Sequence, residues 1–122
     1  MLFRSSVSTV TAREFAERVK NILSADGVSV TCPNKQVSKV VVVGGSGKDF
    51  IDAAIDTFAD CIVTGEVSYN ALLDAADSNL SIICAGHFYT ENPVLESLAK
   101  TVSHFDSNIS IAYYNSNLIY HI

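Results

Sequence analysis

The stretch "AGHFYTE", residues 85–91, places a histidine and a carboxylate four positions apart, His87 and Glu91. A neutral imidazole and a carboxylate suit zinc, iron, manganese or cobalt and do not choose among them. A metal site normally needs four or more donor atoms, and this stretch supplies two. A surface histidine followed by a glutamate at a helix start would read the same. Gly86 before the stretch and Pro93 after it argue against a helix running through. The expectation is a loop that carries His87 into a site, with Glu91 near the start of the next helix.

Two other stretches could approach a ligand. "GGSGKD", residues 44–49, fails the Walker phosphate-loop pattern, because Val42 stands where the first glycine belongs and Asp49 replaces the Ser or Thr that holds magnesium. It also fails the dinucleotide fingerprint, because Phe50 occupies the place of the third glycine. What remains is general: the Gly45-Ser46-Gly47 segment lets the backbone come close to a ligand, or simply makes a tight turn. In "TGE", Thr64 and Glu66 flank a glycine before a helix start. There a carboxylate gains from the helix macrodipole, or it orients a metal ligand or a bound water.

The elements that must position these residues are legible as alternating periodicities. "TAREFAERVKNILSA" opens with Thr11 and Glu14 at capping-box spacing and continues with Phe15, Val19, Ile22 and Leu23 on one stripe. It predicts a helix ended by Gly27. "VSVTC" alternates as an edge or half-buried strand, and Pro33-Asn34 turns the chain. "KVVVVGG" is a continuous β-branched run, the pattern of a strand covered on both faces. "KDFIDAAIDTFA" aligns Phe50, Ala54, Ile55 and Phe58 as a helix; "DCIVTG" is a short buried strand. "VSYNALLDAADS" is a third helix with Leu72, Leu73 and Ala76 inward, and "LSIICAG" is another strand. "ENPVLESLAKTVSHF" predicts a helix with Asn92 as N-cap and Pro93 in its first turn. "ISIAYYNSNLIYHI" predicts a hairpin around Asn115-Ser116-Asn117.

The order α-β-β-α-β-α-β-α-β-β implies an α/β fold with a mostly parallel or mixed sheet flanked by helices. With 122 residues, one domain over 1–122 is expected. Ligands of such sheets bind at the carboxyl ends of the strands. If the three central strands are parallel, the loops at 44–49, 64–66 and 85–91 share one rim.

Bulk properties narrow the function. The net charge is −5, and the 8 Lys and Arg residues are scattered, so neither nucleic acid nor an anionic membrane is expected as partner. No apolar run approaches the roughly 20 residues that cross a bilayer. "MLFRSSVSTV" has neither the apolar core nor the cleavage site of a secretion signal, which points to the cytosol, with a mitochondrial address as the alternative. Cys32, Cys61 and Cys84 are isolated and odd in number, so they read as small buried hydrophobes in a reducing compartment. His104, near a helix C-terminus, and His121 have no partner that spacing identifies.

Taken as an ordered set, "GGSGKDFIDAAIDTFAD", "VTGEVSYNALLDA" and "AGHFYTENPVLESLA" resemble the C-terminal half of the Nif-three-like family. Its members are also called GTP cyclohydrolase I type 2 homologues and dinuclear-metal-centre hexameric proteins. The resemblance runs from about Thr11 to about Tyr114, leaving residues 1–10 as a leader outside the pattern. It implies one half of a duplicated α/β fold, assembly into a toroidal homo-oligomer, and a two-metal site at the strand ends. His87 and Glu91 fall on two of the family's ligand positions. The remaining ligands, a His-His pair and an Asp, belong to an N-terminal half that these residues do not match. The family's usual His after the Tyr of the "TGE" stretch is Asn70 here. The resemblance therefore implies a metal-binding domain with a partial dinuclear site. Supplied with the other half, that site would support metal-assisted hydrolysis of a nucleotide- or phosphate-like substrate. The alternative is a catalytically inactive oligomerisation or protein-interaction module.

Overall fold

The computed structural model describes residues 3–119. Five strands form one mixed sheet in the order β1-β3-β4-β5-β2. They are β1 (Phe3–Thr11), β2 (Ser29–Val30), β3 (Gln36–Ser46), β4 (Cys61–Glu66) and β5 (Ser81–Cys84). The helices are α1 (Ala12–Leu23), α2 (Ile51–Asp56), α3 (Tyr69–Asp77), α4 (His87–Glu91) and α5 (Val94–Phe105). β3, β4 and β5 run parallel, whereas β1 and β2 pair antiparallel at the two edges.

The apolar runs explain the centre of this arrangement. Side chains alternate across a strand, so a strand with both faces apolar must be covered twice. On β4, Cys61 and Val63 join Ala12, Ala16 and Val19 of α1 in one core. Ile62, between them, joins Ile51 and Ala54 of α2 and Ala75 of α3 in the other. β5 repeats the division, with Ile83 under α1 and Ile82 under α2 and α3. The result is a helix–sheet–helix sandwich with the parallel strands at its centre.

Asp60 aligns the amino ends of β3 and β4. Its carboxylate accepts hydrogen bonds from the Ser38 amide (2.9 Å), the Ser38 hydroxyl (3.0 Å) and the Lys39 amide (2.8 Å). Burial alone would push this carboxyl up, but the three donors and the nearby Lys35 outweigh it and hold the pKa below the ordinary aspartate value. Lys35 also donates to the Asp60 and Asn79 carbonyls, tying in the turn before β5.

Several sequence expectations give way. The N-terminal residues from Phe3 onward, read as a leader outside the family pattern, form edge strand β1, whose exposed polar residues hide the strand period. Among the described residues the predicted hairpin does not form: residues 106–119 contain no strand, and the remainder of that prediction, 120–122 with His121, lies outside them. α1 ends at Leu23 because Ser24, not Gly27, takes the left-handed capping conformation with φ 52°. Phe58 is 80% exposed and also left-handed, so the α2 stripe stops at Ile55, and Leu73 faces solvent while Ala75 is buried. Asn92 and Pro93 are both right-handed helical and make no side-chain cap, so the chain passes from α4 to α5 without a clean break. Among the described residues, no helix is long and apolar enough to cross a membrane.

Candidate functional site

The parallel pairing sets Val43 opposite Thr64 and Thr64 opposite Cys84. The three glycine-bearing strand ends therefore lie side by side on one rim, as the sequence pattern requires. The ladder continues past the strands: the Ala85 amide donates to the Thr64 carbonyl and the Gly86 amide to the Gly65 carbonyl, both at 2.9 Å. These bonds deliver His87 directly above the end of β4.

His87 and Glu91 then share a face because residues 87–91 form the single helical turn α4, not a loop. In a helix, positions i and i+4 are neighbours. The His87 Nε2 atom lies 3.3 Å from a Glu91 carboxylate oxygen, and Nδ1 lies 3.0 Å from a carboxylate oxygen of Glu66. The hydrogen bond to Glu66 raises the His87 pKa above its ordinary value; partial burial opposes this and Glu91 reinforces it. The side chains of His87, Glu66 and Glu91 are 49%, 62% and 57% exposed, so the cluster is open to a ligand from solvent.

Gly45 is the floor beneath the pair. Its φ is +69°, a conformation that L side chains rarely adopt, and a Cβ there would stand 2.5 Å from Glu91 Oε1 and 3.1 Å from His87 Nε2. The Gly45 carbonyl accepts from the buried Thr64 hydroxyl at 3.0 Å. The Gly47 amide donates to the Glu66 carbonyl at 3.2 Å, and Ser46 is exposed opposite Glu66. The sequence candidates therefore occupy one rim, with His87, Glu91 and Glu66 in direct contact and the others supporting the backbone.

Two donors, His87 and Glu91, face one point; the second carboxylate, that of Glu66, does not. Glu66 and Glu91 sit on opposite ring nitrogens, and among the described residues no group of three or more His, Cys, Asp or Glu is arranged as a cation cage. Asn70 is exposed in the first turn of α3. His104 lies exposed in the last turn of α5. The cysteines are free; burial pushes the Cys61 thiol up to about 12, leaving it inert, while Cys32 is only half-buried in a left-handed turn. Spacing does not reveal Thr90. Its hydroxyl accepts from the Gly45 amide at 3.0 Å, a contact between residues 45 apart that no local pattern encodes.

A mixed α/β sheet whose parallel, glycine-bearing strand ends gather a histidine and carboxylates defines the class of this protein. Its sequence matches the profile of Duf34/NIF3 (NGG1p interacting factor 3) over residues 2–119, including β1, and the chain belongs to that family. It is 34% identical over 92 residues to the GTP cyclohydrolase 1 type 2 homolog of Clostridium acetobutylicum, covering 75% of this chain and 34% of that protein. It is 32% identical over 112 residues to the NIF3 homolog of Schizosaccharomyces pombe, covering 84% of this chain and 39% of that one. Among solved structures, a Bacillus cereus protein related to NIF3 superposes with a TM-score of 0.82 at 28% identity, over 98% of this chain and 35% of that one. The Staphylococcus aureus protein SA1388 shares the fold, with a TM-score of 0.85 at 22% identity, over 100% of this chain and 42% of that one. The chain thus spans about a third of the length of the first of these curated relatives and somewhat more of the second.

Proposed function

We propose that this chain is a metal-binding domain in which His87 and Glu91 are two ligands of a divalent ion. The observation that carries the reading is the 3.3 Å separation of His87 Nε2 from the Glu91 carboxylate. Two donors each about 2.0–2.1 Å from one tetrahedral ion are about 3.3–3.4 Å apart. Glu66 supports it from the other side of the ring. By accepting from Nδ1–H it selects the neutral tautomer whose lone pair is on Nε2, the arrangement common to metal-bound histidines. That lone pair would face a carboxylate, a repulsion that either a proton or a cation on Nε2 removes.

The donor set is partial, and that fixes the expected strength. Structural zinc energies of about 10–16 kcal/mol belong to complete sets, so these two side chains alone bind zinc, iron, manganese or cobalt weakly. With donors from elsewhere completing a dinuclear site, bound ions would supply Lewis acidity for hydrolysis of a phosphate- or nucleotide-like substrate. In that setting Glu66 orients His87, and the Gly45-Ser46-Gly47 segment at the end of β3, with Thr64, forms the wall beside the reacting group. Calorimetric titration of zinc into the protein and into a His87→Ala, Glu91→Ala double variant tests the assignment. Weak binding lost in the variant is expected; tight binding indifferent to both changes would refute it.

A separate observation favours a second reading, an oligomerisation module without chemistry. α5 buries no residue, and Val94, Leu95, Leu98 and Val102 are exposed along it. An exposed apolar stripe of this kind marks an interaction surface, and a second copy of this chain is the proposed occupant.

A further inference from the structure

We propose that Thr90 is a positioning residue for the His87–Glu91 pair, acting on it through the Gly45 peptide; the inference rests on reading that pair as metal ligands. The Gly45 amide donates to the Thr90 hydroxyl at 3.0 Å. The hydroxyl proton is directed at the carbonyls of Gly86 (3.0 Å) and His87 (3.1 Å). One side chain therefore joins the end of β3 to both the entry and the first residue of α4.

The other backbone group of Gly45, its carbonyl in the next peptide unit, is held as well. Thr64 of β4 donates to the Gly45 carbonyl at 3.0 Å. Gly45 is left-handed, buried and closely packed against Glu91 and His87, and a buried amide or carbonyl at such a position has no water to replace a lost partner. Two threonines from different elements thus clamp the residue that lies directly under the Glu91 carboxylate. Gly65 allows the approach: a Cβ there would be 2.9 Å from the Thr90 hydroxyl and 2.9 Å from the His87 Cα.

The chemistry of this contact distinguishes a serine from a valine. Serine keeps an oxygen that accepts from Gly45 and donates to the carbonyls. Valine keeps the shape of threonine but leaves the Gly45 amide without an acceptor, which costs more than the bond itself contributed. The end of β3 then gains by moving away from α4, and the surface against which Glu91 is set moves with it.

The test compares zinc affinity, measured by calorimetry or NMR titration, in the wild-type chain, Thr90→Val and Thr90→Ser. Thr57→Val serves as a matched control, because the Thr57 hydroxyl donates to the Ala54 carbonyl at 3.0 Å, at the end of α2. Thr90→Val is expected to weaken zinc binding roughly tenfold, with Thr90→Ser within about threefold of wild type and Thr57→Val unchanged. Wild-type affinity in Thr90→Val, or an equal loss in Thr57→Val, would overturn the proposal. Should the valine variant not fold, Thr90→Ala removes the hydroxyl without a replacing methyl and carries the comparison. His87→Ala separates the two layers of the claim: if it binds zinc like wild type, the ligand reading fails. Crystal structures of the metal-free variants then decide the positioning. An Nε2-to-carboxylate separation opened past about 4 Å in Thr90→Val and unchanged in Thr90→Ser supports it; one unchanged in both refutes it.

Discussion

His87 is held between two carboxylates by different means, and the difference sets what each can do. Glu66 reaches across from β4 to Nδ1, whereas Glu91 comes from the same helical turn and faces Nε2. Removing Glu66 frees the ring to rotate but leaves both proposed ligands in place. Glu66→Gln keeps a hydrogen-bond acceptor and is expected to weaken zinc binding about tenfold, against complete loss in His87→Ala, as read by calorimetry. Gly45→Ala should also weaken zinc binding, because the new methyl displaces the Glu91 carboxylate from its place beside His87. It should also destabilise the fold by about 1–2 kcal/mol from the left-handed backbone alone, measurable by urea unfolding. At this scale the sequence displays the types and spacing of His87 and Glu91, and the glycines around them. It does not display Thr90, whose role depends on a strand end far away in the chain.

The elements are legible where burial is two-sided or where a local cap is encoded. β3, β4 and β5 carry β-branched runs, and α1 begins at the Thr11–Glu14 capping box, whose reciprocal bonds the structure contains. Thr11→Ala removes that cap and should cost about 1 kcal/mol in chemical unfolding. β1 is hidden because an edge strand with mostly exposed residues has no core to impose alternation. α4 is obscured for the opposite reason: Gly86 and Pro93 bracket it, yet one turn of helix fits between them. Asp60 offers an element-scale test with a definite pH sign. Its folded pKa lies below the ordinary 3.8, so its contribution is present in full above that value and is lost as pH falls through the folded pKa. Asp60→Asn should therefore destabilise by about 1 kcal/mol near neutrality, a modest figure because the carboxylate is partly solvated. In paired urea titrations the gap should hold steady down to about pH 5 and close below the ordinary aspartate range. A gap that widened in acid would contradict the role assigned to this carboxylate.

For the molecule as a whole, the sandwich of helices around parallel strands is encoded in the alternation of helix and strand patterns. The segment after α5 is not read so simply: "ISIAYYNSNLIYHI" has the composition of a hairpin, but among the described residues 109–119 pair with no strand, and Ile109, Tyr113 and Leu118 are exposed. Apolar residues outside a core at this density, together with the stripe on α5, give the prediction at this scale. Light scattering should show self-association that Leu98→Glu reduces, and a monomer at high concentration would count against the α5 surface as an interface. At the centre of the rim stands the proposed sharing of one ion between His87 and Glu91. It is tested most directly by anomalous diffraction at the zinc edge from crystals soaked in zinc. The expected result is a peak about 2.0–2.2 Å from both His87 Nε2 and a Glu91 oxygen; zinc bound elsewhere, with that space empty, would contradict it.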